Sequence, residues 1–274
     1  MTGILLPAVL AGAVAIAATV AVERWGGRIG GLLSTLPTTI VPASLGIAAQ
    51  TDVPGFQDAM ASCSAGMLVD VFFLYFWRVV PPRLPDTGLW VRLSMMLVVS
   101  LSGWLVAATG MTLGLQLLRS RGIPLLGVGI LLVLATAGLG ALACLRNPPS
   151  PAGRRRVSPI TLLARGVLAG AAIAGAVWLA SVGGAIASGV ASVFPAIFLT
   201  TMVSLWVSQG EAVQAGAVGP MMLGASSVSG FALIAALTIP ALGAGTGSLV
   251  AWLMAVGLVT VPAWLWLQRR AAKG

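Results

Sequence analysis

The stretch Gly26-Gly27-Arg28-Ile29-Gly30-Gly31-Leu32-Leu33-Ser34-Thr35-Leu36-Pro37 has a second copy in the same chain, Gly184 to Pro195, and the pair decides how the rest is read. A shift of 158 residues without a gap puts Gly26 on Gly184, Gly31 on Gly189, Ser34 on Ser192 and Pro37 on Pro195. The match extends towards the N-terminus, where Val9-Leu10-Ala11-Gly12-Ala13 meets an identical Val167-Leu168-Ala169-Gly170-Ala171. From Leu5 to Pro37 there are 11 identities in 33 positions, where a chain this rich in Ala, Gly, Leu and Val gives roughly one in ten by composition alone. The spacing marks a duplicated unit.

Working outward, 58% of the 274 residues are hydrophobic and only 8% are charged. Several apolar runs approach the ~20 residues that cross a bilayer, so a soluble domain is excluded and an all-α polytopic membrane protein is expected, in a bacterial inner membrane. The net charge of +9 does not point to nucleic acid, because the Lys and Arg residues sit between and after the apolar runs, where they read as topology signals. Cys63 and Cys144 lie inside apolar segments without CxxC spacing, and His is absent. No disulfide framework, zinc site, cofactor or proton-shuttling imidazole is therefore expected.

Nine spans are expected, at 4–23, 32–50, 56–79, 91–118, 123–145, 159–182, 188–207, 212–236 and 244–267. With the N-terminus outside and the C-terminus cytoplasmic, 13 of the 15 basic residues fall inside, as the positive-inside rule requires. Arg119 and Arg121 are the two outside. The inside set includes Arg24 and Arg28, Arg78, Arg83 and Arg92, Arg146, Arg154 to Arg156 and Arg165, and Arg269, Arg270 and Lys273. Repeat unit 1 (1–118) and repeat unit 2 (159–274) are separated by one extra span in 119–158, so the units enter the membrane from opposite sides. The layout is 4+1+4, two inverted four-helix repeats joined by a converter helix, in a monomer with internal pseudo-symmetry among membrane lipids.

Spans 2 and 7 carry the residues expected to line a pathway. Span 2 holds Ser34, Thr35, Pro37, Thr38, Thr39 and Pro42; span 7 holds Ser192, Pro195, Thr200 and Thr201. A proline inside a helix leaves the carbonyl four residues earlier without its donor, here Leu33, Thr38 and Ala191, and such groups need other partners in a bilayer. Interrupted helices at matching places in inverted halves mark a transporter's central site. Gly26, Gly31, Gly184 and Gly189 shape the repeated turn, and the small faces Ala8-Gly12 and Gly166-Gly170-Ala174 suit close helix contact.

Apart from Glu23, the last residue of the first span, two acids lie inside spans, Asp58 near an outer end and Asp70 deep in the hydrocarbon, about 12 Å along its helix from Arg78. An intramembrane carboxylate is costly and functional by default. Its counterpart in unit 2 is Val228, so the site is asymmetric. Met60, Cys63, Met67 and Asp70 form one stripe; soft sulfur ligands suit Cu(I), but an adaptable packing face is the plainer reading and no metal site is assigned. Asp52, Asp86 and Glu211 are read as solvated loop acids, and Trp25, Trp77, Trp90, Trp264 and Trp266 as interfacial anchors.

The run Gly184 to Ala196, followed by Ile197-Phe198-Leu199 and the loop Gly210-Glu211-Ala212, resembles the GlpM-like family of small four-helix bacterial membrane proteins. In unit 1 Leu36 replaces the Phe and Pro42 is added. The resemblance implies a tandem fusion of two such units; the family is associated with exopolysaccharide production without a defined activity. The layout also resembles fused small multidrug and fluoride-channel proteins, although the intramembrane Glu of the former is missing from span 1. No nucleophile with a base, metal triad or nucleotide loop is present, so an enzyme is not expected. The leading expectation is a secondary transporter or flippase for a small or amphiphilic solute, proton-coupled through Asp70. A passive channel and a structural subunit of an envelope or exopolysaccharide assembly are the alternatives.

Overall fold

A computed structural model describes residues 2–25, 36–146, 158–182 and 184–271. The regular elements among them are helical: α1 (Thr2–Trp25), α2 (Ile40–Ala48), α3 (Val53–Val79), α4 (Leu89–Ser120), α5 (Leu125–Leu145), α6 (Pro159–Ser181), α7 (Ala185–Ala191), α8 (Ala196–Gln209), α9 (Glu211–Leu242), α10 (Ala244–Ala255) and α11 (Val261–Ala271). A short 3-10 turn, Pro81–Arg83, links α3 to α4, and a π-helical turn, Val256–Thr260, links α10 to α11. Seven of the described helical stretches are long and apolar enough to cross a membrane, with α7–α8 and α10–α11 each counting as one. This is the make-up of a multi-pass membrane protein. Nine spans were expected; of the first two, α1 runs for 24 residues with Ile4–Ala17 as its apolar stretch among the described residues, and α2 has nine residues, so neither is among the seven. Gly26, Gly31, Ser34 and Thr35, with the stretch 147–157 that carries Arg154 to Arg156, lie outside the described residues.

Burial sorts the helices. Most of α3 and α9 is buried, whereas α4, α5, α6 and α10 turn large apolar side chains such as Val98, Leu131, Ile160 and Leu249 outward. In a bilayer such faces meet lipid at no cost. The two buried helices run antiparallel, because Gln57 at the start of α3 donates to the Ala236 carbonyl near the end of α9 (3.4 Å) and Gln214 at the start of α9 donates to the Trp77 carbonyl near the end of α3 (2.6 Å). Helix α5, expected as a converter without chemistry, packs against both. A Cβ on Gly129 would stand 2.7 Å from Leu233 and 3.4 Å from the Ala61 carbonyl oxygen, and one on Gly140 2.5 Å from Leu223 Cα. Its Ala143 carbonyl accepts from Arg78 Nη1 at 3.0 Å.

The small-residue faces meet. A Cβ on Gly12 of α1 would stand 2.7 Å from the Gly166 carbonyl oxygen of α6, and one on Gly170 3.0 Å from the Ala8 carbonyl oxygen. Pairing 12 with 166 and 8 with 170 makes this pair antiparallel too. Such close backbone approach supplies dispersion contact where lipid removes the hydrophobic drive between helices.

Two proline expectations change. Pro42 does not kink a helix, because α2 begins at Ile40 and a first-turn residue has no intrahelical acceptor for its N–H in any case; the Thr38 carbonyl is therefore not orphaned by it. In span 7 the helix does break at 192–195, yet the Ala191 carbonyl accepts from the Phe194 N–H at 3.1 Å. The chain satisfies that carbonyl itself by leaving the helix, with no call on water or solute.

Candidate functional site

The site forms where α3 crosses the break between α7 and α8. Ala59, Ser62 and Gly66 recur at helical spacing and present almost no bulk, so the broken helix lies directly on the α3 backbone. A Cβ on Gly189 would run into the Ala59 carbonyl oxygen and stand 2.9 Å from Ser62 Cβ; one on Gly66 would stand 2.9 Å from the Val190 carbonyl oxygen. Ser192, the first residue past α7, donates to the Gly189 carbonyl at 2.7 Å, and its Oγ lies 3.1 Å from Cys63 Sγ. Cys63 of the Met/Cys stripe thus faces a hydroxyl on the break. The turn expected at Gly184 separates α6 from α7, with the Gly184 N–H donating to the Leu179 carbonyl at 2.9 Å.

Two turns deeper on the same face, Asp70 is 1% exposed. Trp104 of α4 donates its Nε1–H to Asp70 Oδ1 at 2.7 Å. The Trp104 ring meets Phe194, in the break, edge to face with centroids 5.2 Å apart. The buried carboxylate is therefore connected to the broken helix through one hydrogen bond and one aromatic contact. Among the described residues no basic side chain pairs with it. Trp104 escaped the sequence reading because it is 34 residues from Asp70 and one of many apolar residues on a lipid-length helix.

A second buried charge flanks the break from the other side. Arg165, counted from sequence among the basic residues that set the topology, lies inside α6 and is 6% exposed. Its Nε donates to Thr200 Oγ1 at 3.1 Å and its Nη2 to Thr201 Oγ1 at 2.9 Å. The counting of basic residues hid it, since it follows the Arg154 to Arg156 triplet closely; its position six residues into an apolar run was the available signal. The shift of 158 puts Pro7 in its place in unit 1, and Pro42 in the place of Thr200, so this cation belongs to one half only. Arg165→Lys should lose one of the two hydroxyl bonds, since an ammonium lacks the planar fork, and lower stability by about 1 kcal/mol. Thermal unfolding in detergent checks this, with an unchanged melting temperature as the contrary result.

Other expected site residues lie elsewhere. Asp58 pairs with Arg119 Nε at 2.6 Å at the far end of α4, about 18 Å along α3 from Asp70. The structure does not bring it to the Asp70 site; it gives Arg119, one of the two arginines expected outside, an acidic partner. Pro37 and Pro42 are buried, and Thr38 and Thr39 half-buried, around the start of α2. That helix packs chiefly on α1 and α6, where a Cβ on Gly46 would stand 2.9 Å from Pro7. Two readings are corrected outright. Glu211 is not a solvated loop acid but an ion-pair partner of Arg92 at 2.9 Å, and Trp77 is fully buried rather than an interfacial anchor. No family model, curated protein or solved structure matches the chain.

Proposed function

We propose that this protein is a secondary transporter or flippase made of two inverted four-helix repeats joined by α5, moving a small or amphiphilic solute with Asp70 carrying a coupling proton or contacting a cationic group of the solute. The observation that carries the reading is the broken helix α7–α8 with a buried ionisable group on each side, Asp70 through Trp104 and Phe194, and Arg165 through Thr200 and Thr201. Charges are held inside a membrane protein at a cost and mark substrate or ion routes, and interrupted helices supply the backbone groups that such routes use.

The inverted repeat is supported by contacts that exchange partners. The shift of 158 carries residue 8 to 166 and 12 to 170. The Gly12–Gly166 and Ala8–Gly170 contacts are therefore images of one another. The Gln57–Ala236 and Gln214–Trp77 bonds are images to within one residue. Exchange of partners is the signature of a two-fold relation, and between antiparallel helices the axis lies in the membrane plane. The third and fourth helices of each half are also bridged at matching depth, by Asp70–Trp104 in one and by Ser227–Thr260 (2.6 Å) in the other. The tandem GlpM-like reading and the N-outside orientation belong to the same proposal; with Arg165 removed from the count the basic bias still favours that orientation.

Burial of Asp70 beneath Trp104 favours a gated mechanism over an open pore. The test is purified protein in liposomes enclosing a pH-sensitive dye, offered a panel of small cations, neutral polyols and short-chain amphiphiles. A transporter moves protons only when its solute is present, and accumulates solute against a gradient when a pH difference is imposed. A steady conductance indifferent to both would establish the channel instead.

A further inference from the structure

The two ends of the α3–α9 pair are unlike. At one end Arg92, at the start of α4, donates from Nη2 to Glu211 Oε2 (2.9 Å) and to the Pro81 carbonyl (2.8 Å). Its guanidinium lies over the Trp206 ring, 5.7 Å from the centroid, and Trp206 meets Trp77 edge to face at 5.9 Å. Gln214, fully buried, donates to the Trp77 carbonyl beneath them. Arg92, Pro81 and Trp77 belong to 1–118, whereas Glu211, Trp206 and Gln214 belong to 159–274, so this plug ties one half to the other. Trp77 Nε1, Gln214 Oε1 and Arg92 Nε are buried there with no hydrogen-bond partner among the described residues.

At the opposite end lies a cavity of about 190 Å³, lined by residues that include Ala48, Asp52, Val53, Phe56 and Ile239. The shift of 158 sends Ala48 to Trp206, Val53 to Glu211, Phe56 to Gln214, and Pro81 to Ile239. Cavity and plug are thus equivalent places in the two halves. One is filled by an indole, a guanidinium and a carboxylate; at the other, Ala48 stands for Trp206 and Ala235 for Trp77. Missing indoles leave room that the other end does not have.

We infer that the cavity is the solute's access vestibule and that the Arg92–Glu211 pair over Trp77 and Trp206 is the gate at the opposite face. This rests on the transporter reading. Among the described lining residues Asp52 is the one charge, so the vestibule admits a small cationic or neutral solute and disfavours an anion. Alternating access then consists of opening the plug while the halves close over Ala48 and Phe56.

Thiol accessibility tests this without any solute. In proteoliposomes of the full chain carrying Cys63→Ala and Cys144→Ala, a reporter is placed by Val218→Cys, one turn deeper on α9 than Gln214 and fully buried, and a second by Phe56→Cys. Position 218 should react slowly with a membrane-impermeant maleimide from the Arg92 side. Arg92→Gln or Glu211→Gln should raise that rate at least tenfold, and the exchanged pair Arg92→Glu with Glu211→Arg should restore it, which a merely misfolded protein would not do. Position 56 should react from the Asp52 side, and Ala48→Trp should slow it at least tenfold. Equal rates at position 218 with and without the ion pair, or a position 56 that Ala48→Trp leaves unchanged, would overturn the inference. Such a result beside intact solute-dependent proton movement removes this gate and keeps the transporter. Shifted rates with no proton movement do the reverse.

Discussion

Asp70→Asn should reduce solute-dependent proton movement in proteoliposomes to the level of protein-free liposomes while the protein remains folded. An amide has the shape of the carboxyl group and still offers an oxygen to Trp104 Nε1, the hydrogen bond seen at 2.7 Å. Stability should therefore change by no more than about 1 kcal/mol, and solute binding or solute-for-solute exchange should persist. What the amide cannot do is take up and release a proton. Trp104→Phe separates the roles: the ring contact with Phe194 is kept, the donor to Asp70 is lost, and the rate should fall partially rather than completely. Transport against a gradient at the wild-type rate in the Asn variant would make Asp70 a structural residue, and proton coupling would lose its one deep carboxylate.

Gly189→Val should cost the protein its folded state or at least about 3 kcal/mol of stability. The position is fully enclosed, and the group a side chain would strike is the backbone carbonyl of Ala59, which cannot move aside as a flexible side chain would. The broken helix would have to lift from α3, and the Ser192–Cys63 contact would go with it. Gly110→Ala is the control: nothing lies within 4 Å of its Cβ position, and in mid-helix alanine should stabilise by roughly 0.5–1 kcal/mol. Melting in detergent and the yield of monodisperse protein distinguish the two. A Gly189→Val variant that melts with the wild type would mean that α7 does not rest on α3 as described.

The class of the protein, the approximate positions of its long helices, the close faces on α1 and α6 and the interruption at 192–195 were legible in the residues themselves. Each is a local property: hydropathy over about 20 residues, small side chains four apart, a proline with hydroxyls around it. Asp70 was legible as well, since an acid in an apolar run announces its own cost. Its partner was not. Which face of an apolar helix is buried cannot be read from hydropathy when lipid and protein interior are equally apolar, so Trp104, exposed Leu105 and exposed Val106 look alike in the chain and differ only in the fold. The same holds for long-range charge. Arg165 reads as one of a basic series until α8 brings Thr200 and Thr201 to it, and Glu211 reads as a loop acid until Arg92, 119 residues away, reaches it. Composition and periodicity determined that charges are few and where they sit along each helix; only tertiary packing decided which of them are shielded by a partner, because shielding depends on distances of a few ångströms between elements that the chain order keeps apart.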